Sequence, residues 1–146
     1  MQEFIESLMQ EHESIERELV ELETIMQSRI LNYPNLIHVF KKLRNIWDHH
    51  EEKEEKVFPQ LRKQRLLVSI EKMIFAHQSL RPHKDAITHA INAGNDFEIR
   101  RTLNVNGKVI IEKLREHIKN EEDELFTAVL DSYSLEDLTT IWASID

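Results

Sequence analysis

The sequence predicts an all-α protein, an up-down-up-down four-helix bundle with a short C-terminal fifth helix. Three observations carry that expectation. Only two Gly and three Pro punctuate 146 residues, whereas an all-β or α/β chain of this length needs many tight turns. The breaks are few: Asn32-Tyr33-Pro34-Asn35, Pro59 with Lys63-Gln64-Arg65, Ala93-Gly94-Asn95-Asp96, and the vicinity of Asp131-Ser132. They divide the chain into four long segments, about 2–31, 36–62, 66–93 and 97–131, and a fifth of about 135–144. Connections this short force each long helix to run antiparallel to its predecessor.

Each long segment carries an inward seam at alternating spacings of three and four. In the first it runs Ile5, Leu8, His12, Ile15, Leu19, Leu22, Met26, so a histidine takes a core position. The second reads Leu36, Phe40, Leu43, Trp47, His50, Glu54, Val57, Leu61, with a His and a Glu inside. In the third, Leu67, Ile70, Ile74, His77, Arg81, Lys84 turns polar after His77, and Met73, Leu80, Ile87 and Ile91 flank it. The fourth reads Leu103, Gly107, Ile110, Leu114, His117, Glu121, which places a second His–Glu pair inside. Ser134 followed by Asp137 has the form of a capping box for the last helix.

Composition narrows the function classes. The chain has no Cys, which removes disulfide frameworks, zinc ribbons, iron–sulfur ligation and thiol catalysis, and suits a reducing cytosol. Its net charge is −8 and its basic residues form no stripe, so nucleic acid and anionic membrane are not expected partners. Met1-Gln2-Glu3-Phe4 has an acid where a signal peptide wants Lys or Arg, and no apolar run approaches the roughly 18 residues of a membrane span. The expectation is a soluble cytoplasmic protein, residues 1–146 forming one domain. No Ser-His-Asp arrangement or glycine-rich phosphate loop supports hydrolase or kinase chemistry.

Four helices thus each bring one His to the seam. Measured from the shared helix ends, their heights differ by at most about four residues, roughly 6 Å at the α-helical rise. His12, His50, His77 and His117 therefore fit one layer. His50 to Glu54 and His117 to Glu121 are i,i+4 pairs that stack on one helix face. Taken singly, each is an ordinary surface ion pair, and the acidic runs around Glu54 and Glu121 are ordinary solvated faces; only the phase of the seam singles these two out. Inside an apolar bundle, four imidazoles and two carboxylates are costly without compensation. A pair of metal ions supplies it, and this donor mix suits iron, manganese or zinc. His38, His83 and His89 fall off the layer and are expected on the surface. Phase selects His50 over its neighbour His49.

The ordered set His12, His50-x-x-x-Glu54 running into Val57-Phe58-Pro59, Met73-x-x-x-His77-x-x-Leu80-Arg81, and His117-x-x-x-Glu121-Glu122 running into Leu125-Phe126 resembles the hemerythrin-like, or HHE cation-binding, domains. It covers nearly the whole chain. The resemblance implies a four-helix bundle around two non-haem irons, oxo- or hydroxo-bridged, with His12, His50, Glu54, His77, His117 and Glu121 as metal ligands. Anchoring it on Phe58-Pro59 instead selects His49 for the second helix. It also implies binding or sensing of oxygen, nitric oxide or peroxide, or iron handling. The oxygen-carrying members have two His one turn apart on the third helix, whereas here Arg81 follows His77 by four residues. That set looks more like the bacterial members tied to nitric-oxide stress, iron release or redox sensing. The guanidinium of Arg81 is expected to favour an anionic bound species, and Pro82 to kink the third helix near His77. The competing reading is a metal-stapled or metal-free helical interaction module. A ferritin-like oxidase wants Glu three residues before an inward His, and no His here has one.

Overall fold

In a computed structural model that describes residues 3–145, five helical rods account for nearly all of the chain and no strand occurs among the described residues. We number them α1 (Glu3–Gln27), α2 (Tyr33–Val57), α3 (Leu67–Ala93), α4 (residues 96–132) and α5 (Leu135–Ser144). α4 is α-helical except for two wider π-helical turns, Leu103–Gly107 and Glu121–Phe126.

Several boundaries differ from expectation for local reasons. α1 stops at Gln27, short of the expected residue 31. The Asn32-Tyr33-Pro34-Asn35 stretch, read as a break, is the start of α2: the Asn32 side chain accepts from the Asn35 N–H at 3.1 Å. Pro34 sits in the first turn, where no N–H partner is required. The second helix ends at Val57 rather than near 62, and the chain crosses to α3 through two tight 3-10 turns, Phe58–Gln60 and Gln64–Leu66. α3 ends at Gly94, whose φ of 72° is the left-handed cap that glycine permits without strain. Asn95 then caps α4 through the Glu98 N–H. At α5 both halves of the expected capping box form, Asp137 N–H to Ser134 Oγ at 3.1 Å and Ser134 N–H to the Asp137 carboxylate at 3.3 Å. α3 continues through Pro82; Pro82 and Gln78 both lie on the exposed side of the helix, where water can take the carbonyl that proline leaves without a donor.

The seams pack into two apolar clusters with a polar layer between them. One cluster contains Ile15, Leu22, Leu43, Trp47, Leu80, Ile87, Ile110 and Leu114; the other contains Leu8, Val57, Phe58, Met73, Leu125 and Phe126, closed by Leu138 of α5. Along α1 the chain leaves the second cluster at Leu8 and enters the first at Ile15, with His12 between. On α2 it leaves the first at Trp47 and enters the second at Val57, with His50 and Glu54 between. α3 passes from Met73 to Leu80 around His77, and α4 from Leu114 to Leu125 around His117 and Glu121. Burying a Leu- or Ile-sized side chain on either side stabilises by about 1.5–3 kcal/mol, which is what can support a layer of six ionisable groups.

One seam is redrawn. On α3 the buried series is Ile70, Met73, His77, Leu80, Lys84, Ile87, while Leu67 and Arg81 are exposed and Ile74 is half-buried. Lys84 tolerates its inward position because its ammonium lies 4.5 Å from the centre of the Trp47 ring and pairs with Asp48. On α4, Gly107 permits close approach of α1: a Cβ there would lie 3.2 Å from both the Sδ and Cε of Met26.

Candidate metal centre

The six seam side chains converge. His12, His50, Glu54, His77, His117 and Glu121 are each at most 6% exposed. They form two groups, His12, His50, Glu54, Glu121 and Glu54, His77, His117, Glu121; within each, one ligating atom per residue lies within 4.8 Å of all the others. Glu54 and Glu121 belong to both.

The contacts follow that division. In the first group His12 Nε2 is 3.0 Å from His50 Nε2 and 2.8 Å from Glu121 Oε1, and His50 Nε2 is 3.2 Å from Glu54 Oε1. In the second, His77 Nε2 is 3.2 Å from Glu54 Oε1, and His117 Nε2 is 3.5 Å from Glu121 Oε2. Aromatic packing holds the rings: His12 stacks on Phe126 with 5.6 Å between centroids, and Phe58 lies 6.1 Å from His77. The ring pairs His12–His50 and His77–His117 each meet edge-on.

Electrostatics within the layer are unbalanced. Burial disfavours the charged form of every imidazole. For His12 the carboxylate of Glu121 outweighs burial and raises the pKa; for His50 Glu54, and then Glu11, raise it well above the usual value. His77 is likewise raised by Glu54. His117 goes the other way, to about 4, because burial and the neighbouring imidazoles outweigh Glu121. Burial would push Glu54 up, but His50 and His77 hold it well below the usual carboxylate range.

Both Glu54 oxygens, both ring nitrogens of His77 and of His117, and Glu121 Oε2 are buried without a hydrogen-bond partner. Several lie within ion-pair distance of one another but are not aligned as donor and acceptor. Such orphaned atoms are costly in a protein interior. Lone pairs that converge without protons between them suit a cation. Two imidazole nitrogens about 2.1 Å from one ion lie about 3 Å apart on adjacent octahedral corners and about 3.4 Å apart on tetrahedral ones, a range that includes the 3.0 Å between His12 and His50. The residues present therefore fit metal ions, with the two carboxylates placed to be shared.

Sequence reasoning missed the outer carboxylates. Glu122 Oε2 lies 2.7 Å from His12 Nδ1, and Glu11 Oε1 lies 2.8 Å from His50 Nδ1; Lys53 holds Glu11 at 2.8 Å. Glu11 and Glu122 each neighbour a seam residue and read as solvated acids. Glu121 and Glu122 are consecutive on the π turn that begins at Glu121, and their carboxylates reach the two nitrogens of the His12 ring. No local pattern announced that turn.

Other residues fall outside the layer. The His49 side chain is 68% exposed, with Nε2 3.7 Å from Glu11, and it takes no part in either group. His38 and His89 are exposed as expected; His83 is instead half-buried, with Nδ1 2.9 Å from the Asn106 amide. The Arg81 guanidinium is half-exposed and lies 3.7 Å from Glu55, turned away from the centre rather than toward a bound species. Leu8, Phe58, Leu125 and Phe126 wall a small cavity that touches Glu54. A groove of about 410 Å³ between α3 and α4 reaches His117.

The model of the hemerythrin HHE cation-binding domain matches residues 3–129. No curated protein and no solved structure matches the chain significantly.

Proposed function

This chain belongs to the hemerythrin HHE cation-binding family, and on that premise we propose that it is a non-haem di-iron protein that binds or senses oxygen, nitric oxide or peroxide. One observation carries the reading: two four-residue groups share both of their carboxylates in a buried layer of the bundle. His12 and His50 would hold one ion and His77 and His117 the other, with Glu54 and Glu121 bridging them beside an oxo or hydroxo group. The alternation of the chain between the two apolar clusters supports the up-down-up-down order that this arrangement requires.

Bound iron supplies the redox change and the open coordination position for a small ligand. The chain's own residues do the rest. Glu54 and Glu121 neutralise charge, Phe126 and Phe58 restrict two of the imidazoles, and the apolar walls of Leu8, Leu125 and Phe126 exclude water and suit a diatomic molecule. With Arg81 paired to Glu55, its guanidinium is not placed to stabilise an anionic adduct. The donor set of four His and two Glu, with one His from α3, supports reaction with oxygen or nitric oxide in preference to reversible oxygen carriage. No helix among the described residues is long and apolar enough to cross a membrane; a cytoplasmic location belongs to the same reading.

Metal analysis after purification from iron-supplemented cells tests it. Two irons per chain are expected; one zinc, or no metal at saturating iron, overturns it. Stopped-flow mixing of the diferrous protein with oxygen should give autoxidation within minutes, and an oxygen adduct stable for hours would make the protein a carrier.

A further inference from the structure

We propose that Glu11 and Glu122 make the His12–His50 half of the centre the tight metal site and leave the His77–His117 half as the exchangeable one. The inference rests on the di-iron reading and deepens it. The carboxylates that back the imidazoles are unevenly distributed. His12 Nε2 faces the centre while its Nδ1 meets Glu122 at 2.7 Å; His50 Nε2 faces the centre while its Nδ1 meets Glu11 at 2.8 Å. Glu11 is itself fixed by Lys53 at 2.8 Å. On the other side, His77 Nδ1 is 3.7 Å from Glu55, beyond hydrogen-bond reach, and Glu55 is half-exposed and shared with Arg81. His117 Nδ1 has no partner at all.

An imidazole whose outer N–H donates to a carboxylate is locked in the tautomer that presents the inner nitrogen's lone pair, and that nitrogen becomes a stronger donor. Both histidines of one group have this support and neither histidine of the other does, so the asymmetry coincides with the division into two sites. The route in and out is asymmetric too. His117 lines the groove between α3 and α4, beside Met73, Ser79 and Leu80, whereas His12 is covered by Phe126 and its outer nitrogen by Glu122. Glu11 and Glu122 are positioning residues: they act on the ions through His50 and His12.

The test is an anaerobic titration of ferrous iron into the metal-free full-length chain, with a competing chelator to resolve the two stepwise dissociation constants. Two unequal steps are expected. Glu11→Gln and Glu122→Gln, which keep shape and a hydrogen-bond acceptor but remove the charge, should each weaken the tighter step by about 10–100-fold and leave the weaker one within about threefold. A general loss of packing would move both steps together. Glu55→Gln should change neither, and Glu122→Asp should retain the tight step. Two truncations assign the sites without relying on these variants: His117→Ala should keep the tight iron, and His12→Ala should lose it. Two irons bound with equal affinity, or a weaker step that moves while the tighter does not, would overturn this proposal and leave the di-iron reading standing. A wild-type chain that saturates below two irons would remove that reading, and this proposal with it.

Discussion

The α1–α2 half and the α3–α4 half of the bundle offer the centre the same kind of donors and support them differently. In the first, two uninterrupted helices present His12 and His50, each clamped from outside by a carboxylate. In the second, α3 carries Pro82 five residues after His77, α4 carries two π turns, and His117 has nothing behind it. Identical apolar periodicity thus yields one half that is preorganised and one whose rings are held chiefly by packing. Carboxylate backing depends on which neighbouring helix faces the outer nitrogen, and not on the seam that brings the ring inside.

The sharpest way to test this contrast is to remove what the halves share. Glu54→Ala or Glu121→Ala should abolish binding of both irons, since each carboxylate belongs to both groups, whereas His117→Ala should leave one. Iron content of the refolded variants reads this directly, and a Glu121→Ala protein that still holds two irons would show that the halves are independent. Next in size is the effect of metal on stability. If ions bind only the folded bundle, saturating iron should raise the melting temperature by several degrees and a chelator should reverse the gain, because the metal-free layer buries carboxylates and ring nitrogens without hydrogen-bond partners. A melting curve unchanged by either treatment would favour a structural, metal-indifferent layer.

Protonation divides the layer along another line, His117 against the other three imidazoles. His12, His50 and His77 have folded pKa values above 6.5, so in metal-free protein their stabilisation is fully present below about pH 6.5 and is lost as pH rises through those folded values. His117, lowered to about 4, stabilises above 6.5 and loses that contribution as pH falls toward 4. Metal needs neutral imidazoles. The gain in melting temperature on adding metal should therefore be larger at pH 8.5 than at pH 6, and in the metal-free protein His117→Gln should flatten the acid limb and not the alkaline one. A gain that shrinks toward alkaline pH would contradict the assignment of charged imidazoles to His12, His50 and His77.

The smaller effects concern bystanders. His50→Ala should remove much of the bound iron and His49→Ala little, because the His49 side chain is 68% exposed and outside both groups; the reverse result would reassign the α2 ligand. Gly107→Ala, where α4 packs against Met26 of α1, should change stability by less than about 1 kcal/mol: the helix gains about that much from losing glycine, while the flexible Met26 thioether end must yield at 3.2 Å. A larger loss by thermal denaturation would mean that Met26 cannot move.

The seams of α1, α2 and α4, the height at which each His lies, the cap at Ser134, and the six side chains that meet were all legible in the sequence, because helical phase and rise are local properties that a string of residues records. The α3 seam was legible only in part: two tracks at spacings of three and four run through Ile70, His77 and Lys84, and it is the packing of Met73 and Leu80 into the two apolar clusters that selects their track over that of Ile74 and Arg81. Glu11, Glu122 and Lys53 gain their roles from side chains up to 110 positions away, and Arg81 turns to Glu55 because that carboxylate stands on the helix beside it. The π turn at Glu121 leaves no signature in residue spacing. Local hydrogen bonding and burial determine which residues face inward. Which inward histidine has a carboxylate behind it is decided only when the helices are rotated and set against each other.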